Sequence, residues 1–142
     1  RTRLAVRWQA DGDTLVSASV SSDVLGRVGG LTADIGATHQ WSFGHGRALI
    51  AGVGLSLADQ RYMQAWHGVS AEQSLASGLV AYRPGAGLRS WGGAITYRHE
   101  FSDAWASFVS LNHSRLAGPA LDSPLTLKPG AAWVSGGVAW RF

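Results

Sequence analysis

Between Gly30 and Phe43 the sequence alternates with a period of two. Leu31, Ala33, Ile35, Ala37, His39, Trp41 and Phe43 fall on one parity, and Gly30, Thr32, Asp34, Gly36, Thr38, Gln40 and Ser42 on the other. A strand sends alternate side chains to opposite faces, so this segment reads as a strand with one mostly apolar face and one small, polar face. The alternation recurs along the chain. Leu4, Val6 and Trp8 oppose Arg3, Arg7 and Gln9, and Val16, Ala18 and Val20 oppose Ser17, Ser19 and Ser21. Leu49, Ala51, Val53, Leu55 and Leu57 share a parity, and Trp91, Ile95, Tyr97 and Phe101 oppose Ser90, Thr96, Arg98 and Glu100. Near the C-terminus Val134, Val138, Trp140 and Phe142 oppose Ser135 and Arg141. From Trp105 to Arg115 the pattern is broken by Phe108, which sits among polar positions. About seven strands are expected, several near the ~9–11 residues that span a bilayer.

The connections alternate in length. Short turns fall at Ala10–Asp13, Phe43–Arg47 and Phe101–Ala104, long links at Ala58–Gly87 and Leu116–Ala131, and a modest link near Ser22–Gly29. Bacterial barrels carry short periplasmic turns and longer outer loops. With Phe142 at the periplasm, every short turn falls on that side and every long link outside. Aromatic placement gives a second test. In this orientation Trp8, Trp41, Phe43, Tyr97, Phe101, Trp105, Trp140 and Phe142 lie near the periplasmic rim, and Tyr62, Trp66, Tyr82, Trp91 and Trp133 near or beyond the outer rim. Of the 14 aromatics only Phe108 is left mid-strand, as expected of aromatic girdles at two interfaces. The expected fold is all-β, an antiparallel up-and-down transmembrane β-barrel. The chain supplies about seven strands of a larger one, since bacterial single-chain barrels have even strand numbers. Residues 1–142 are read as a single barrel domain, the C-terminal part of a protein whose N-terminal strands and signal peptide lie elsewhere.

Composition agrees. Charged residues make up 15% against roughly 25% in soluble domains, and there are 19 Gly and 7 Trp. No apolar run reaches the ~18 residues of a transmembrane helix. There is no cysteine, so disulfides and thiolate metal sites are excluded. The formal charge is +3 with the basic residues scattered, so nucleic acid is not an expected partner. In the longest loop Ser70-Ala71-Glu72-Gln73 reads as a capping box, with Gly78 ending a short helix. This helix is expected to be an ornament without a core of its own.

The chain ends Val138-Ala139-Trp140-Arg141-Phe142. A terminal Phe, with an aromatic two residues earlier and apolar alternation before it, resembles the assembly signal of outer-membrane barrels. That resemblance implies Val138, Trp140 and Phe142 as its residues and the barrel assembly machinery as a partner. Gln60-Arg61-Tyr62-Met63-Gln64, then Trp66 and Gly68-Val69-Ser70, resembles the R-Y-x-x-x-(Y/F)-F-G-V-S stretch of the MipA/OmpV family, with His67 where the family usually has a large aromatic. Ser77-Gly78-Leu79, Tyr82 and Pro84-Gly85-Ala86-Gly87 resemble its S-G-L-x-x-Y-x-x-G-A-G segment. Ser114-Arg115-Leu116 and Asp122-Ser123-Pro124-Leu125 resemble its S-R-L-x-G-D-A-x-D-S-P-I segment. The likeness runs from about residue 45 to the end, and its outer-loop motif is carried by Arg61, Tyr62, Gly68, Val69, Ser70, Gly85 and Gly87.

The resemblance implies a location in the bacterial outer membrane, among its lipids. It implies a non-enzymatic scaffold for murein-remodelling enzymes, a lytic transglycosylase and a penicillin-binding synthase, without a cofactor. The residues themselves raise an alternative, a small-solute channel or surface receptor, because the elaborated loops face outward. Arg3, Arg7, Asp34, Arg98, Glu100 and Arg141 fall on the polar face, either as a charged pore lining or as a salt-bridged interior. No catalytic, cofactor-binding or metal-ligating residue is expected. His39, His45, His67, His99 and His113 form no metal motif. His113, Ser114, Asp122 and Ser123 gather near the outer rim in sequence, but a Ser-His-Asp set is defined by geometry.

Overall fold

In a computed structural model, residues 2–22 and 29–141 are described. Seven strands form one antiparallel sheet in sequence order: β1 (Thr2–Gln9), β2 (Thr14–Ser22), β3 (Leu31–Ser42), β4 (Arg47–Ala58), β5 (Gly87–Glu100), β6 (Trp105–Leu116) and β7 (Gly130–Trp140). Three helices interrupt the long links: α1 (Gln60–His67), α2 (Ala71–Ser77) and α3 (Gly118–Leu121). This is the up-and-down, all-β architecture expected, strand for strand. The sheet is not closed: among the described residues β1 and β7 each have one neighbour.

Register turns the alternation into two faces. Ser19 pairs with Asp34, Asp34 with Ser56 and Ser56 with Ser90, so these side chains share the polar face. Val6, Ala18, Ile35, Leu55 and Trp91 share the apolar face by the same pairings. Burial is inverted relative to a water-soluble sheet. Ser19, Ser21, Thr32, Ser56 and Ser110 are buried, whereas Leu4, Val53 and Val134 are 74%, 71% and 70% exposed. An apolar face this extensive needs an apolar solvent rather than water.

Phe108 breaks the pattern for a local reason. It pairs across the ladder with Gly137, and a Cβ added there would come within 2.8 Å of the Phe108 ring. The missing side chain makes room for the aromatic on the polar face. Trp133 also falls on that face, through its pairing with Asn112. A second glycine feature crosses the sheet: Gly36, Gly54 and Gly92 are successive ladder partners. They leave three adjacent strands without a side chain at one level of the polar face.

The short turns lie at one end of the sheet. In the first, Asp11 accepts the Asp13 and Thr14 backbone N–H groups at 2.9 and 2.6 Å and the Thr14 hydroxyl at 3.0 Å. The Asp13 amide and then the Thr14 hydroxyl hold the Asp11 carboxyl below the usual carboxylate value. In the second, Gly44, His45 and Gly46 all have positive φ (74°, 51° and 69°). The Gly46 carbonyl accepts from Glu100 N–H at 2.8 Å, and an added Cβ would collide with the Glu100 backbone. Gly44 has open space around it. Gly46→Ala is therefore expected to destabilise the barrel by clearly more than Gly44→Ala, which meets only the ~1–2 kcal/mol left-handed penalty. Urea unfolding of the two variants in detergent checks the order, and equal midpoints would refute the steric account.

Candidate functional site

Three regions carry polar or aromatic chemistry: one on the apolar face, one on the polar face and one in the long loops. The first is the apolar face at the short-turn end. Trp8, Trp41, Tyr97, Trp105 and Trp140 all lie there by register, with Phe43 and Phe101 in the adjoining turns. The Trp105 and Trp140 rings, on paired residues, are 6.3 Å apart. His39 stacks edge-on with Trp41 at 4.5 Å, and His99 with Phe101 at 5.9 Å. The eighth expected aromatic, Phe142, lies outside the described residues. So does most of the Ser22–Gly29 link.

The second region is the polar face. A cavity of about 520 Å³ lies over the glycine row, edged by Arg3, Arg7, Ser19, Asp34 and Ser56. Arg3 donates to Ser19 Oγ at 2.8 Å, and Ser56 donates to Asp34 Oδ1 at 2.7 Å. At the short-turn end the other three expected charges meet. Glu100 Oε1 lies 3.3 Å from Arg141 Nη2 and 3.9 Å from Arg98 Nη2. The six charges thus form two groups rather than one lining.

The third region is a cap that the sequence motifs mark but whose structure alternation does not foretell. Asp59 caps α1 by accepting the Tyr62 N–H at 2.8 Å. Met63, fully buried, packs with Ala58 and Ala120, and Tyr62 and Leu116 pack against this cluster. Ala58 and Leu116 belong to the polar face through their partners Thr32 and Ser90. The cap therefore leans over the polar face at the long-loop end. A bulge where Ser56 pairs with Ser90 but Leu57 pairs with Leu88 inserts Arg89 as an extra residue. Its guanidinium donates to the Tyr62 hydroxyl at 2.9 Å and lies 5.4 Å from the ring centroid.

The two long loops are sewn together by side chains reaching backbone. Tyr82 donates its hydroxyl to the Pro119 carbonyl at 2.9 Å, and Ser123 to the His67 carbonyl at 2.7 Å. Val69 and Tyr82 form an isolated antiparallel bridge. The motif glycines have distinct surroundings: Gly68 ends α1 against Gln64, Gly87 lies against Pro119, and Gly85 has open space. Arg61 lies against Gly29, and Tyr62 backbone lies where a Gly30 side chain would be. The capping box at Ser70 and Gln73 and the left-handed Gly78 are present as read from sequence, and α2 buries nothing. The loop nonetheless has a core, supplied by α1 and α3, which alternation alone could not reveal.

The candidate nucleophiles and bases do not converge. His113 and Ser114 are consecutive strand residues and point to opposite faces. Ser123 is engaged with the His67 carbonyl. Among the described residues no group of three His, Asp or Glu side chains is placed to hold a metal.

An up-and-down sheet with an apolar outer face, a rim of aromatics and loops folded at one end defines one wall of an outer-membrane-type β-barrel. A family model described as "MltA-interacting protein MipA" matches residues 1–142, and the chain belongs to that family. It is 24% identical to the MltA-interacting protein of Escherichia coli K12 over 87% of this chain and 49% of that protein, with the same figures for Shigella flexneri. It is 25% identical to the E. coli K12 "Putative outer membrane protein YiaT" over 89% of this chain and 51% of that one. The chain spans about half the length of these curated relatives. Their names describe an interacting protein and an outer membrane protein, and neither names an enzyme. No solved structure matches. The chain is an outer-membrane protein.

Two outcomes follow for the cap. Met63→Ala leaves a cavity in its core and is expected to cost about 2–5 kcal/mol locally. Hydrogen exchange in 60–67 and 118–121 should rise while the strands stay protected. Burial, and then repulsion from Arg89, hold the His67 imidazole below its ordinary value. The folded cap therefore favours the neutral ring. Its His67-dependent stability is complete above the unfolded value near 6.5 and declines as pH falls towards the lower folded value. Corrected for the intrinsic pH dependence of exchange, protection in the cap should fall as pH drops below about 6.5, and His67→Gln should flatten that dependence.

Proposed function

We propose that this chain forms part of a non-enzymatic scaffold that holds a murein lytic transglycosylase, and with it a penicillin-binding synthase, at the periplasmic side of the outer membrane. The observation that carries this reading is the family match along the whole chain, together with a relative named for its interaction with MltA. The dispersed nucleophiles and bases support it from the side of chemistry. The short turns offer a shallow docking rim, on which Asp11, Asp13 and Asp103 present charge beside the Glu100–Arg141 pair. Charged rim contacts favour fast, salt-sensitive association rather than tight burial. In this orientation the aromatic belt at the short-turn end anchors the barrel at the periplasmic interface. Val138, Trp140 and Phe142 keep their proposed role as assembly signal.

The channel reading draws on one observation, the cavity with Arg3, Arg7 and Asp34 on the polar face. The cap works against it, because α1 and α3 lean over that face where a solute would enter from outside. Immobilised full-length protein should retain a purified lytic transglycosylase, less so at high salt, and should give no steady conductance in planar bilayers. Conductance without retention would reverse the order of the two readings.

A further inference from the structure

On the apolar face, charge is segregated by sign. The two strand carboxylates among the described residues, Asp34 and Glu100, both lie on the polar face. The apolar face carries basic side chains instead, and only near its ends. At the long-loop end these are His113 and Arg115 of β6. They lie two residues apart on one strand and so on one face, roughly 7 Å from each other. Neither has a hydrogen bond or ion pair with another described residue, and both are exposed.

Their neighbours leave them open to a ligand. Arg115 pairs with Gly130 on one side and Trp91 on the other, and His113 with Ala132 and Gly93. The stem of Arg115 lies across Gly130, with Cγ 3.6 Å from where a side chain there would begin. The Trp91 and His113 rings are 5.5 Å apart and tilted by 58°. A guanidinium and an imidazole therefore stand beside one exposed aromatic face, with small residues around them.

Depth follows from strand geometry. Ten residues separate Arg115 from Trp105, which belongs to the aromatic belt at the other end. That is roughly 34 Å along the strand, or about 26 Å along the membrane normal at a ~40° tilt, close to the ~25 Å apolar band of such barrels. Arg115 thus stands at headgroup level at the interface opposite the belt. The long-loop end faces outward in bacterial barrels. The outer leaflet there is a glycolipid whose sugar headgroup bears phosphates. Phosphate takes charge-assisted hydrogen bonds from a guanidinium and a hydrogen bond from an imidazole N–H, and an aromatic ring offers a sugar an apolar stacking face.

We propose that Trp91, His113 and Arg115 form a binding site for the phosphorylated sugar headgroup of the outer-leaflet glycolipid, with Arg115 and His113 on phosphate and Trp91 under the sugar ring. The site lies on the lipid side of the wall and does not depend on the scaffold reading. Native mass spectrometry of the full-length protein in detergent tests it, with added bisphosphorylated lipid A, its monophosphoryl form and phosphatidylglycerol. Bisphosphorylated lipid A should bind best, and R115Q and the H113A/R115A double variant should weaken it by about tenfold or more. R47A, which removes a cation from the same face at the other end, should leave it unchanged. Heat-modifiable migration establishes that each variant is folded, and R115Q keeps the test decisive should the double variant not fold. Undiminished lipid A binding by R115Q overturns the site. Equal binding of phosphatidylglycerol overturns the glycolipid assignment.

Discussion

The ladder of backbone hydrogen bonds between adjacent strands is the interaction on which everything else rests. In hydrocarbon a backbone N–H or C=O has no water to turn to, and each unpaired group costs several kcal/mol. Strand pairing therefore has to be continuous, and the register it fixes decides which side of the wall every residue meets. A slip by one residue would send Asp34 and Glu100 into lipid and Ile35 and Leu55 onto the polar face. The polar cavity, the aromatic belt and the placing of Trp91, His113 and Arg115 together are all consequences of one choice of register.

The inverted burial also explains why so little of the chain forms a core in the usual sense. The compact cluster is small and lies at the long-loop end of the strands, where Met63 and Ala120 meet Ala58 of β4. Water returns at that level, and hydrophobic burial again provides a driving force. The wall and the cap are thus held by different physics: hydrogen bonding and lipid contact for the strands, apolar burial and loop-to-loop hydrogen bonds for the cap.

This division sets what could be read from the sequence. Period-two alternation revealed about seven strands, and short turns such as Phe43–Arg47 marked their ends. Phe108 resisted that reading because its environment depends on Gly137, a partner on another strand. The helix α1 resisted it for a different reason. Its residues carry the outer-loop motif, but one buried side chain, Met63, is too little to create a helical period. The capping box at Ser70 was legible because its hydrogen bonds are local. The cap's long-range bonds, Tyr82 to Pro119 and Ser123 to His67, were not. The side-chain pairing of Glu100 with Arg98 and Arg141 needed the register. Its parity alone placed all three on one face.

The glycine row has a consequence for the shape of the wall. At Gly36, Gly54 and Gly92 three neighbouring strands are reduced to bare backbone, and the polar cavity on one side approaches an apolar notch on the other. Side chains on a concave face resist curling by crowding one another, and here there are none to crowd. Bending is therefore cheapest along this line. The wall behaves like a sheet of card scored across its middle, with β3, β4 and β5 each bending most easily at that level.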